Sequence, residues 1–153
     1  MNLQIIDYSP ELSEYIQKLN YEWLEEYFRV EEGDRMSLSN PQEYILDKGG
    51  FIFFAKKSDE IIGTASLLKK TDTVFELGKM AVAKNARGLG IGKLLIEHCL
   101  EFARQKQIEK LILYSNTILE PAIHLYRKYG FEEIELEAGV YERGNIKMEK
   151  RIF

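Results

Sequence analysis

Between Glu76 and His98 the chain reads ELGKMAVAKNARGLGIGKLLIEH, and Gly88, Gly90 and Gly92 crowd the short stretch from Arg87 to Lys93. Glycines let backbone N–H groups turn inward and approach an anion without interference from a Cβ, and a helix starting there adds about half a positive charge. A phosphate cradle is therefore the first chemistry to test. The P-loop spacing G-x-x-x-x-G-K-[ST], counted back from Gly92-Lys93, puts Arg87 at the first glycine and Leu94 where a magnesium-binding hydroxyl belongs. A dinucleotide fingerprint G-x-G-x-x-G would need glycine at Lys93 if it began at Gly88, or at Leu95 if it began at Gly90. Both counts fail, which disfavours a nucleotide-phosphate enzyme. What remains is Arg87-x-x-Gly90-x-Gly92, a loop suited to a pyrophosphate, with Lys84, Arg87 and Lys93 supplying local positive charge.

Upstream of the loop, strand alternation puts Glu76, Gly78, Met80 and Val82 on one face, so one carboxylate stands beside one gap. A lone strand carboxylate is equally a solvated or hydrogen-bonded residue. His98 and His124 lie mid-helix without a partner at ligand spacing, which places them at the surface or its boundary. Cys99, on an apolar helix face, belongs to the core rather than to nucleophilic chemistry. No metal-ligand pattern is present.

The elements that must position these groups follow from periodicity and punctuation. A short strand runs around Leu3 to Ile6. A helix then opens with Ser9 as N-cap and Pro10 in its first turn, carrying Leu12, Tyr15, Ile16, Leu19 and Trp23 at helical spacing. RVEEGDRMSLSN is expected to be a loop, and NPQEYILDKGG a short helix ended by Gly49-Gly50. FIFFAKK, IIGTASLLKK and TVFELGKMAV form an antiparallel meander across tight turns. A helix from about Ile91 to Lys106, a buried strand KLILYS, and a helix after Pro121 with Ala122, Leu125, Tyr126 and Tyr129 on one side come next. Two strands near Phe131 to Leu136 and Asn145 to Ile152, with a turn at GVYERGN, close the chain. This order predicts a mixed α/β sheet of about six to seven strands with helices on both faces.

With 153 residues, 45% hydrophobic and 30% charged, the chain is expected to fold as one domain spanning residues 1–153. A net charge of -4 without a Lys/Arg run argues against nucleic acid as a partner. The single cysteine excludes an internal disulfide, and the lack of a leader or a long apolar stretch points to the cytoplasm and away from a membrane. A homodimer is compatible with all of this.

Arg87-x-x-Gly90-x-Gly92, placed after a strand and opening a helix, resembles the acyl-CoA signature of the GNAT superfamily of N-acetyltransferases. FELGKMAV, Ser115-Asn116 and AIHLYRKYGF look like that family's other landmarks in the right order. The resemblance implies acetyl-CoA as cosubstrate, its pyrophosphate held by Arg87, Gly88, Leu89, Gly90, Ile91, Gly92 and Lys93. The backbone of Met80, Ala81 and Val82 would meet the pantetheine arm as a pseudo-strand, and Asn116 would bond that arm. The stretch between Asn116 and Tyr126 is longer than usual in the family, which weakens the Asn116 assignment.

Amine acetylation needs a neutral nucleophile, so a proton must leave an ammonium. The resemblance makes Glu76 the base and Tyr126 the proton donor to the departing thiolate. A tyrosine can both bury its ring and present its hydroxyl, so Tyr126 can also complete an apolar helix face. The acceptor site would lie between the first two helices and the terminal hairpin, where Trp23, Tyr27, Glu31, Glu32, Tyr141 and Arg143 are candidates. The carboxylates hint at a cationic acceptor, but a solvated acidic helix face gives the same pattern. A catalytically silent acyl-CoA-binding regulatory module is the alternative to an enzyme.

Overall fold

The structure is a computed structural model and describes residues 2–138 and 143–153. β1 (Leu3–Asp7) leads through a single turn of 3-10 helix (Pro10–Leu12) into α1 (Ser13–Tyr27) and α2 (Glu32–Ser39). A π-helical turn (Gln42–Leu46) precedes the meander β2 (Phe51–Lys57), β3 (Glu60–Lys69) and β4 (Val74–Val82). α3 (Ile91–Gln105), β5 (Lys110–Ser115), α4 (Glu120–Lys128), β6 (Glu132–Ile134) and β7 (Ile146–Arg151) complete the order. The strands form one seven-stranded sheet, β1-β2-β3-β4-β5-β7-β6, antiparallel except for β4 beside β5.

Both faces of this sheet are covered, which is why β3 is buried continuously from Ile61 to Leu67 rather than alternating. Period-two alternation instead sorts side chains between two cores. In β2, Phe53 and Ala55 pack under α3 with Leu67, Leu95, Ile96 and Leu111, whereas Ile52 and Phe54 pack under α1 with Ile16, Leu19 and Leu38. Each fully buried phenylalanine contributes about 1.5–3 kcal/mol of transfer free energy. α1 holds its face through Ile16, Leu19, Asn20 and Leu24, all buried at helical spacing, while Tyr15 stays exposed.

The expected loop RVEEGDRMSLSN contains α2 instead. Its apolar stripe shrinks to one anchor, Leu38, so periodicity gives no helix signal. Reciprocal capping supplies the order: the Glu31 side chain accepts from the Asp34 backbone N–H, and Glu31 N–H donates to Asp34 Oδ2 at 2.9 Å. The turn expected at GVYERGN falls largely outside the described residues.

Two irregularities shape the site. β4 pairs with β5 only through Val74, Phe75 and Glu76, opposite Lys110, Leu111 and Ile112; beyond them the strands separate. Across from that opening, Thr64 pairs with Ala81 but Ser66 pairs with Gly78, so Lys79 and Met80 together face Ala65 in a bulge. Lys79 takes φ 51°, unusual for a residue with a side chain. The bulge corrects the expected alternation. Ala81 packs on the α1 side of the sheet with Leu68, the partner of Glu76, whereas Met80 and Val82 pack toward α3.

Candidate active site

A cleft of about 460 Å³ runs along the divergence of β4 and β5. Of the residues singled out from the sequence, it brings together Glu76, Met80, Ala81, Val82, Arg87, Gly92, Asn116 and Tyr126, along with Trp23, Tyr27 and Arg143. Gly88, Leu89, Gly90, Ile91 and Lys93 sit on the turn and first helical residues beside it. Tyr141 lies outside the described residues, and Glu32 is exposed away from the lining.

At the loop end, Gly88 and Gly90 adopt φ 85° and 79°, conformations that a side chain would strain. Ile91, buried to 1% exposure, pins the start of α3 on the sheet. The N-cap of α3 is Gly90, so no side chain caps the first-turn N–H groups, and no acidic residue lies in that turn. An uncapped helix N-terminus without a first-turn acid carries N–H donors and a dipole that suit an anion. Arg87 is drawn toward α1: its Nη1 lies 2.5 Å from Glu26 Oε2 and 3.5 Å from the Tyr27 hydroxyl, with the guanidinium 5.7 Å from the Tyr27 ring. Lys84 leans the same way, its N–H donating to Glu22 Oε1 at 2.8 Å and its Nζ lying 3.7 Å from Glu26 Oε1. The Arg87 hydrogen bond leads the effects that hold the Glu26 carboxyl below its ordinary value. Arg87 Nη2 is buried with no hydrogen-bond partner among the described residues.

Mid-cleft, Glu76 is 2% exposed, with Lys70 Nζ 3.0 Å from its Oε1. A Cβ at Gly78 would come within 3.1 Å of Glu76 Oε2, so glycine keeps the space beside the carboxylate open. The Tyr126 ring packs edge-on against Phe131 at 6.0 Å, and burial pushes its phenol up to about 12, so the hydroxyl stays protonated. Asn116 also lines the cleft; its Nδ2 donates to Arg143 O at 2.7 Å and its Oδ1 accepts from the Ile118 N–H at 3.0 Å. The Asn116 amide thereby ties the end of β5 to the terminal hairpin.

The far end is built from an ionic cluster that the sequence did not announce. Asp34, 2% exposed, receives Arg143 Nη1 at 2.8 Å and Nη2 at 3.0 Å, and lies 3.3 Å from Lys79 Nζ. Arg143 Nη1 also reaches Glu31 Oε2 at 2.7 Å. Burial works to raise the Asp34 carboxyl, but the Arg143 hydrogen bonds, the Glu31 N–H and the Lys79 charge outweigh it and hold it below its ordinary value. Buried Asn20 supports the bulge, its Nδ2 donating to Lys79 O at 3.1 Å and Ile16 O at 2.8 Å. Asp34, Lys79, Lys70 and Asn20 were all missed from the sequence. Only the Glu31-x-x-Asp34 capping pattern carried a signal for any of them.

The remaining candidates fall where expected. Cys99 is fully buried and its thiol is pushed up to about 12 by burial. His98 stacks edge-on against Phe53 at 4.6 Å at the core boundary, and burial lowers its pKa; His124 is exposed.

The Acetyltransferase (GNAT) family model matches residues 18–131, from α1 to the end of the α4 segment. The chain belongs to the GNAT acetyltransferase family. Among relatives, N-acetyltransferase 8 of Rattus norvegicus is 28% identical over 97 residues, covering 60% of this chain and 44% of that protein. The chain spans less than half the length of such curated relatives. A GNAT-family acetyltransferase from Staphylococcus aureus Mu50 superposes with a TM-score of 0.88 at 22% identity, covering 99% of this chain and 100% of that one. The fold is likewise shared with yncA of Salmonella typhimurium, solved with acetyl-CoA, at a TM-score of 0.79 and 16% identity, covering 100% of this chain and 95% of that one.

GNAT enzymes use acetyl-CoA, and the residues here fit such a group. The uncapped N-terminus of α3, the positive-φ glycines and the buried Arg87 Nη2 provide donors for a pyrophosphate, and the strand gap leads from them to Glu76. No helix among the described residues is long and apolar enough to cross a membrane, and no three His, Cys, Asp or Glu side chains among them gather as a metal site.

Proposed function

We propose that the chain acts as one cytoplasmic N-acetyltransferase domain, passing an acetyl group from acetyl-CoA to a primary amine by direct attack in a ternary complex. The observation that carries this reading is the opening between β4 and β5, with a buried carboxylate midway, a protonated phenol on its wall and an uncapped helix N-terminus at one end. Acetyl-CoA supplies the activated thioester. Glu76 Oε2, beside the space that Gly78 leaves, takes a proton from the acceptor ammonium directly or through water, and Lys70 holds the other carboxylate oxygen in place. Tyr126 gives its phenolic proton to the departing sulfur. The β4 backbone at Met80, Ala81 and Val82 aligns the pantetheine arm and offers an N–H to the carbonyl oxygen, which gains negative charge as the carbonyl carbon becomes tetrahedral.

An acetyl-CoA-dependent amine screen, read as released thiol, tests the reaction. Glu76→Gln should lower kcat by about 100-fold or more with little change in acetyl-CoA affinity. Turnover unchanged across pH in that variant would remove Glu76 from the mechanism. CoA binding without thiol release from any amine would instead favour a silent binding module.

A further inference from the structure

On the far side of the Asp34 and Lys79 pair lies a second cavity of about 430 Å³, walled by α2, the π-helical turn and the end of β3. Lys48, Lys69, Lys70 and Lys79 line it. Four cations around one cavity run against the chain's net charge of -4. Its two lining carboxylates, Glu31 and Asp34, are turned onto Arg143 at 2.7 and 2.8 Å. The Lys69 partner, Asp72, is 94% exposed, so water and salt screen that pair. Lys48 Nζ lies 5.3 Å from the Tyr44 ring centroid, a contact with no counter-charge. Lys79 is balanced by Asp34 and Lys70 by Glu76, so the positive charge a ligand would meet here is that of Lys48 and Lys69.

The cavity adjoins the chemistry. It shares Asp34 and Lys79 with the strand cleft, and Lys70 reaches through to Glu76 Oε1 at 3.0 Å. Lys79 is held at this junction in a strained backbone conformation, φ 51°, with Asn20 clamping its carbonyl. Strain of this kind persists only where the surroundings enforce it. An anionic group held by Lys48 and Lys69 would lie in the cavity that Lys70 links to the carboxylate receiving the acceptor's proton. A second ammonium there would add to the positive charge of Lys48 and Lys69.

We propose that this lysine-lined cavity binds an anionic group of the acceptor, so that the acceptor is an amine that also carries a carboxylate or a phosphate. The proposal rests on the transferase reading for the role of Glu76. It reverses the hint of a cationic acceptor that the acidic stretch from Glu31 gives in the sequence, because Glu31 faces Arg143 and Glu32 lies off the cleft.

The test compares amines matched in length: β-alanine against propylamine and diaminopropane, and phosphoethanolamine against ethanolamine. kcat/KM should be at least about tenfold higher for the anionic member than for the neutral one, and lowest for the diamine. The two pairs show whether carboxylate or phosphate is preferred. A Lys48→Ala/Lys69→Ala double variant should lose most of the preference, with the loss appearing in KM. Preference for the neutral or cationic amine, or a preference that the double variant leaves intact, overturns the proposal while leaving the transferase standing. A binding arm needs no turnover: N-acetyl-β-alanine, but not N-propylacetamide, should bind the CoA complex of the wild type and fail to bind that of the double variant. If that binding is seen and no amine releases thiol, the transferase reading falls and the anion cavity stands. Equal binding of the two amides, or binding of neither, overturns the cavity.

Discussion

At the glycine-loop end of the cleft, the groups offered to a ligand are backbone N–H donors, set by Gly88, Gly90 and the start of α3 within a few consecutive residues. At the opposite end they are side chains, Asp34, Lys79 and Arg143, drawn from α2, the β4 bulge and the terminal hairpin. The first arrangement depends on local conformation and leaves its donors open. The second depends on tertiary packing and satisfies much of its charge internally. Damage at the loop end should therefore appear in cofactor affinity, whereas damage at the cluster should appear in stability.

The sharpest test of that division is Arg143→Met. It leaves the Asp34 carboxylate, 2% exposed, without its two-pronged partner. Breaking one side of a buried pair costs about 3 kcal/mol or more, and chemical denaturation should show a loss of that order. The pH dependence carries a sign. The Asp34 carboxyl is held below its ordinary value in the folded state, so its contribution is present above the free-chain pKa of about 3.9 and is lost as pH falls through the lower folded value. The acid-unfolding midpoint should thus be lower in the wild type than in Arg143→Met. Equal acid midpoints would mean that the cluster is not what holds α2 to the hairpin.

The same contrast explains what could be read from residues alone. The meander, the loop and both flanking helices were legible because each is written in a contiguous run: alternating apolar residues in FIFFAKK, glycines before Ile91, a stripe through Leu94, Leu95 and Cys99. The Asp34 to Arg143 contact joins positions 109 apart in sequence, and no local pattern encodes such a pairing. α2 was hidden because capping and one leucine, not an apolar stripe, hold it. The bulge was hidden because a lysine, not a glycine or asparagine, takes the positive φ. That slip changes which face Met80 and Val82 occupy, and so changes the site. The Asn116 bonds to Arg143 O and the Ile118 N–H are a further case: they serve the fold, and no local pattern encodes the one to position 143.

Gly90→Ala probes the loop end at intermediate size. At φ 79° a Cβ costs about 1 kcal/mol, although nothing lies within 4 Å to clash with it. Because the strain falls on the residue that starts α3, CoA affinity should drop several-fold while denaturant stability falls far less than in Arg143→Met. A stability loss as large as that of Arg143→Met, with CoA affinity intact, would erase the distinction between the two ends.

The smallest effect should come from Glu26, the acidic side chain of α1 that meets Arg87. Its carboxylate contacts both Arg87 and Lys84, so the cations meant to favour a pyrophosphate already have an anion beside them. An incoming phosphate must share Arg87 with Glu26 or displace it, and either way meets a like charge. Glu26→Gln should tighten CoA binding roughly twofold to fivefold, the scale expected of a solvent-facing ion pair. The gain should shrink as salt is raised, because screening weakens the repulsion that the variant removes. Weaker CoA binding in Glu26→Gln would show the opposite design: that Glu26 holds Arg87 in the position from which it grips the cofactor, and that the loop end, like the cluster, depends on a side-chain pair.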